Sequence, residues 1–233
     1  MIPPSGLPAP ETEAELLRRA RRLAGRPLSF LAANLGLEVP PDQRHAKGWV
    51  GQLLEKSLGS TASSRAVPDF EALGVEMKTL PVDARGVPTE STFVATLDMA
   101  ESDAMRWEHS SIRKKLARVL WIPVEAEPTI ALGDRRVGTA LLWSPSTEEE
   151  AALRQDFEEI VDLIAEGFGE SITGERGRYM QLRPKGASSR TLRWATDPEG
   201  APVRTAPRAF YLRAGFTAEL VRRHYQLAGG RRG

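Results

Sequence analysis

The run Val119-Leu120-Trp121-Ile122-Pro123-Val124 is almost unbroken in apolar residues, and a strand without polar alternation has to be buried on both faces. Such a strand belongs in the middle of a sheet covered by helices. It predicts a mixed α/β architecture, and another strand follows in the chain around Val137 to Trp143. Helical patterns surround it. Thr12-Glu13-Ala14-Glu15 reads as a capping box, and the spacing of Leu16, Leu17, Ala20, Leu23 and Ala24 carries a helix to about Gly25. Its arginines at 18, 19, 21 and 22 are expected to face outward, a run that is usually only a solvated face and less often a DNA-contacting one. Leu28 to Leu35, closed by Gly36, reads as a second helix, and Lys47 to Glu55 opens a third with Val50, Leu53, Leu54 and Leu58 as its apolar stripe. Trp107 to Leu116 is expected to be mostly helical and carries the basic cluster Arg113, Lys114 and Lys115. Ser146-Thr147-Glu148-Glu149 caps a long helix to about Gly167 with an acidic outer face, and a last helix spans about Thr217 to Leu227. Strands are expected at Tyr179 to Arg183 and Arg208 to Arg213. No internal repeat or long linker divides the chain, which predicts a single domain over residues 1–233.

The chemistry concentrates between Pro68 and Pro81. Asp69 is followed by Glu76-Met77-Lys78, in a segment suited to a strand that ends before Pro81. Alternation puts Glu76 and Lys78 on one face and Val75, Met77 and Thr79 on the other. A divalent cation such as Mg²⁺ needs only one or two carboxylates plus a substrate phosphate, and Asp69 and Glu76 fit that role. An ammonium beside them, Lys78, suits positioning of an attacking water or stabilisation of charge on phosphorus oxygens. Read alone, this spacing favours a turn followed by a half-exposed strand. Glu55, flanking the stripe of the third helix, is either a partly exposed helix acid or a third carboxylate brought close by the polar loop from Gly59 to Ala66, a loop of a size to approach a phosphate backbone. After the strand, Asp83 to Pro88 reads as a turn and Thr92 to Leu97 as the returning strand of a hairpin.

Composition narrows the function classes. With 32 Lys and Arg against 31 Asp and Glu, nucleic-acid binding has to come from local clustering of charge. The absence of cysteine excludes disulfides, thiolate nucleophiles and cysteine-built zinc sites, and three scattered histidines (45, 109 and 224) do not suggest a histidine-ligated metal. The N-terminal stretch lacks the pattern of a signal peptide, and no segment approaches the roughly 20 apolar residues of a membrane span, so the expectation is a cytoplasmic protein without a membrane partner.

With these motifs in view, the sequence resembles the MutH mismatch-repair endonucleases. The resemblance lies in Pro-Glu-Thr-Glu at 10–13, Lys-Gly-Trp-Val-Gly-Gln-Leu-Leu-Glu at 47–55, Asp-Phe-Glu-Ala-Leu-Gly-Val-Glu-Met-Lys-Thr-Leu-Pro-Val-Asp at 69–83, and Arg-Val-Leu-Trp-Ile-Pro-Val-Glu at 118–125. It continues through Arg-Arg-Val-Gly at 135–138, Leu-Leu-Trp-Ser-Pro at 141–145, Arg-Pro-Lys at 183–185 and Phe-Tyr-Leu at 210–212. It implies a restriction-endonuclease-like fold, a central mixed sheet flanked by helices with two lobes forming a DNA cleft. It also implies Mg²⁺-dependent nicking of the unmethylated strand at hemimethylated GATC sites, with Mn²⁺ or Ca²⁺ as other occupants of the metal site, and activation of a monomer by a MutL-type ATPase. Family positions for metal and catalysis fall on Glu55, Asp69, Glu76 and Lys78, with Lys115 and Lys47 as further active-site lysines. The DNA-reading positions fall on Lys47, Phe93, Arg183, Lys185 and Tyr211. No family pattern is recognised in 99–106 and 189–206. A reading from another class is a non-cleaving DNA-binding adaptor on the same fold, which gives no chemical reason for Asp69, Glu76 and Lys78 to occur together.

Overall fold

The computed structural model describes residues 7–41, 48–60, 67–97, 105–168, 172–185, 193–196, 201–205 and 207–229. It divides into two compact units, one from Met1–Thr89, Arg118–Ser144 and His224–Gly233, the other from Glu90–Ala117 and Pro145–Arg223.

The first unit is built on β1 (Glu76–Val82), β3 (Val119–Glu125) and β4 (Leu141–Trp143), in the order β1-β3-β4. β1 runs parallel to β3, and β4 is antiparallel to it. The apolar run is therefore the central strand, and residues 119–124 are buried throughout, as its lack of alternation requires. One face of the sheet, bearing Val75, Met77, Leu120, Ile122 and Val124, shares a core with α1 (Glu13–Leu23), α2 (Leu28–Asn34) and α3 (Trp49–Leu58), which contribute Leu16, Ala20, Leu28, Leu31, Leu53, Leu54 and Leu58.

Thr12 caps α1 by accepting from Glu15 N–H at 3.1 Å. Glu15 does not complete the box. Its carboxylate reaches past Thr12 to the N–H of Glu11 and to the Arg19 guanidinium. Arg19 also departs from the outward-facing expectation, because its guanidinium donates to the carbonyls of Pro8 and Leu58. A five-donor fork is well suited to gathering several carbonyls at a chain crossing.

Two boundaries differ from the sequence reading. β1 continues through Pro81 to Val82, which is tolerated because β1 is an edge strand and a missing N–H there breaks no ladder bond. β4 is short. Pro123 has no N–H to donate to a partner strand, and Gly138 approaches it so closely, N–H to Pro123 oxygen at 2.7 Å, that an added Cβ would lie 2.9 Å from the proline ring.

In the second unit, β2 (Thr92–Thr96), β8 (Arg208–Leu212) and β5 (Met180–Pro184) form an antiparallel sheet in the order β2-β8-β5. β2 is thus not the return strand of a hairpin with β1. The return is made within 81–89, where Thr89 N–H reaches Pro81 oxygen at 3.0 Å and Val82 bridges Pro88, after which the chain leaves to pair with β8. The unit also holds α4 (Ser111–Leu116), α5 (Thr147–Ala165) and the start of α6 (Ala214–Gly229). Residues 107–109 form a 3₁₀ turn ahead of α4, so the expected helix is split. The Ser146 capping box is complete. Phe157 of α5 stacks on Phe210 of β8 at 5.4 Å between ring centroids, and both are fully buried. Within the 189–206 segment, β6 (Arg193–Thr196) and β7 (Pro202–Thr205) pair as an antiparallel hairpin.

Candidate functional site

Between Asp69 and β1 the chain closes on itself. Phe70 N–H donates to Val75 oxygen (2.9 Å) and Val75 N–H to Phe70 oxygen (3.3 Å), around a 3₁₀ turn over Glu71–Leu73 and Gly74 at φ 64°. The left-handed backbone at Gly74 is what lets the turn return. The six intervening residues are absorbed by this loop, and Asp69 lies against the outer edge of β1, its Oδ2 accepting the Met77 N–H at 2.8 Å. The Glu76 N–H points the other way, to Arg118 oxygen at 2.9 Å. Asp69 thus satisfies a donor that an edge strand leaves open.

On the opposite side of the strand from Met77, Lys78 Nζ donates to Glu76 Oε1 at 3.0 Å, and the two side chains are only 7% and 4% exposed. Lys78 stands in register with Trp121 of the central strand, which is fully buried. The expected half-exposed strand is instead a strand buried on both faces, with an ion pair on one of them. Burying charges is costly unless they are paired and hydrogen-bonded.

Glu55 lies half-buried on α3, whose end is held to this region through Ser60. The Ser60 N–H donates to Glu55 oxygen at 2.9 Å and its hydroxyl to Asp69 oxygen at 2.8 Å. Gly59, at φ 81°, makes that turn, and a Cβ there would come within 2.5 Å of Pro8 oxygen. Among the described residues no three His, Cys, Asp or Glu side chains are gathered as a metal-holding group. Three carboxylates at contact distance repel one another unless a cation offsets them. The two carboxylates of the β1 region alone meet the one- or two-carboxylate requirement of Mg²⁺. Lys115 belongs to α4 of the second unit, while Lys47 and residues 61–66 of the polar loop lie outside the described residues.

The other sequence-predicted residues converge on the β2-β8-β5 sheet. Alternation along β8 sends Phe210 into the core and Tyr211 to the other face. There the Phe93 ring meets Tyr211 edge-on at 5.6 Å, the Arg183 guanidinium lies 5.5 Å from the Tyr211 ring centre, and Lys185 Nζ lies 4.3 Å from that of Phe93. Phe93 is 37% exposed, large for an aromatic residue on a strand. Two hydroxyls that sequence reasoning did not single out orient the cations: Arg183 donates to Ser91 Oγ at 2.9 Å and Lys185 to Thr96 Oγ1 at 3.0 Å. Single hydroxyls in strands carry no sequence signal of such a role.

The start of β5 is set by a second missed device. Asp156 lies on α5, a helix whose outer face reads as acidic in sequence, yet it is buried. Its carboxylate accepts the N–H groups of Arg178 (2.6 Å), Tyr179 (2.7 Å) and Met180 (2.8 Å). Arg213 complements it, donating to the carbonyls of Gly174, Arg176 and Gly177.

An acid–acid–lysine strand in one unit and a cation-and-aromatic sheet face in the other are the equipment of an enzyme acting on nucleic acid. Residues 58–156 match the family model described as MutH, DNA mismatch repair enzyme MutH, a range holding Asp69, Glu76, Lys78, Phe93 and Lys115. The DNA mismatch repair protein MutH of Vibrio cholerae serotype O1 is 50% identical over 218 residues, covering 94% of this chain and 99% of that protein. The proteins of the same name from Serratia proteamaculans (49%; 94% and 96% covered) and Photorhabdus laumondii (48%; 96% and 96% covered) are similar to the same degree. The chain belongs to the MutH family of mismatch-repair DNA endonucleases.

Proposed function

We infer that this chain nicks the unmethylated strand at hemimethylated GATC sites in a Mg²⁺-dependent reaction and is activated by a MutL-type ATPase, its two compact units being the lobes of the family. The observation that carries the reading is the buried Glu76–Lys78 pair beside Asp69, an arrangement that costs folding energy and has a use in phosphodiester hydrolysis. Asp69 and Glu76 are the residues to hold Mg²⁺, with Glu55 as a third donor. The bound ion supplies Lewis acidity at the phosphoryl oxygens and a more acidic water. Lys78 holds its ammonium where negative charge develops on the phosphorus oxygens, and its desolvation strengthens that interaction. Lys47 and Lys115 contribute further positive charge toward phosphate.

Phe93, Arg183, Lys185 and Tyr211 form the base-reading face. An N6-methyl group on adenine adds bulk in the major groove and displaces a donor hydrogen, and the stiff aromatic surface of Tyr211 against Phe93 is suited to rejecting it. With a net charge of only +1, long-range attraction to DNA is weak and short contacts lose affinity steeply with salt. A MutL-type partner that holds the chain on DNA therefore acts by raising effective concentration.

The test is nicking of supercoiled plasmid with and without Mg²⁺, followed by unmethylated, hemimethylated and fully methylated GATC duplexes, each with and without the ATPase at low and high salt. The expected pattern is Mg²⁺-dependent nicking, lost in Asp69→Ala, reduced by full methylation and stimulated most at high salt. DNA binding without nicking would replace the reading by the adaptor, and equal rates on all three duplexes would remove methyl sensing.

A further inference from the structure

The exposed positions of α1 are Ala14, Arg18, Arg21 and Arg22. Arg18 lies about 200° around the helix from Leu16 and 160° from Ala20 at 100° per residue, opposite the two residues buried in the core. The acids of the helix are engaged elsewhere: Glu13 accepts from Arg118 at 2.6 and 2.8 Å, and Glu15 binds Arg19 at 2.5 Å. Arg26 and Arg136 lie exposed where the chain leaves the helix, Arg136 donating to Gly25 oxygen at 2.8 Å. Arg21 also acts on His224, whose pKa is held below its ordinary value first by burial and then by the Arg21 charge.

In a chain of net charge +1, such a face is a local concentration of positive charge. Protein interfaces are organised around an apolar core, and the outer face of α1 offers only one alanine for that purpose. A regular polyanion needs no such core. We propose that the Arg18–Arg21–Arg22 face of α1 is a second, sequence-independent DNA phosphate-binding surface, separate from the β2-β8-β5 face. This rests on the reading of the chain as a DNA endonuclease and assigns it a means of holding duplex without reading bases.

The test uses the full chain and a long duplex lacking GATC, with affinity measured across a salt series. Each phosphate contact contributes about 0.9 to the slope of log affinity against log salt, so Arg18→Gln/Arg21→Gln/Arg22→Gln should lower the slope by about 2 to 3. Arg18→Lys/Arg21→Lys/Arg22→Lys should restore it, because phosphate is bound as a point charge as well as by a fork. Should the triple glutamine chain fail to fold, Arg18→Gln alone, fully on the solvent side, should lower the slope by about 1. An unchanged slope in the folded glutamine variants, or a lysine variant matching the glutamine one, would overturn the proposal. Mg²⁺-dependent nicking of a GATC plasmid by the unmodified chain is measured separately, so failure of the enzyme reading is distinguishable from failure of this one.

Discussion

Replacing Lys78 by Met removes the counter-charge of a buried carboxylate while keeping much of the side-chain volume. At the observed 3.0 Å, the gross attraction within the pair is about 5 kcal/mol at an effective dielectric of about 20. The hydration lost by each ion opposes it, so the net worth of the pair is small, whereas stranding one partner costs about 3–5 kcal/mol. For a chain of 233 residues, that lowers Tm by about 6–20 °C, at roughly 2–4 °C per kcal/mol. Glu76→Gln together with Lys78→Met leaves no buried charge and should recover most of the loss, a coupling of about 2 kcal/mol or more. Both variants should be inactive in nicking. Thermal and urea unfolding followed by circular dichroism, with a plasmid assay on the same samples, measure the cycle. A Lys78→Met cost below about 1 kcal/mol, or a double variant as unstable as the sum of the singles, would refute the claim that the two charges are buried as a mutually dependent pair.

Asp69→Asn should abolish nicking yet change stability by less than about 1 kcal/mol, because the amide oxygen can still accept the Met77 N–H; paired melts and plasmid assays decide it. Asp156→Ala strands three backbone N–H groups and should cost about 3–5 kcal/mol by urea unfolding, with Asp156→Asn milder; a loss under about 1 kcal/mol would show the 178–180 turn to be held by other means. Hydrogen bonds from the Arg118 guanidinium hold the Glu13 carboxyl below its ordinary pKa. That stabilisation is complete above the unfolded carboxylate value and is lost as pH falls through the depressed folded one. Glu13→Gln should therefore cost under about 1 kcal/mol at neutral pH, since the pair is substantially exposed, and nothing at strongly acidic pH; a pH-independent difference would refute the linkage.

The central strand, the helices and the caps at Thr12 and Ser146 were legible because each depends on residues adjacent in sequence: an apolar run, a 3.6-residue period, or a side chain reaching a nearby N–H. The same locality put Glu76 and Lys78 on one face of one strand. Pairing was not legible. Whether β2 returned along β1 or joined β8 depended on partners more than 100 residues apart, and alternation describes faces without naming neighbours. The burial of Glu76 and Lys78, the closed turn that carries Asp69 to the edge of β1, and the inward aim of Asp156 and Arg19 were likewise settled only by packing. Polar side chains look solvated in sequence until the fold supplies enough donors and acceptors to make burial affordable. Phe93, Arg183, Lys185 and Tyr211 come from three separate segments, and only the β2-β8-β5 register turned them into one face.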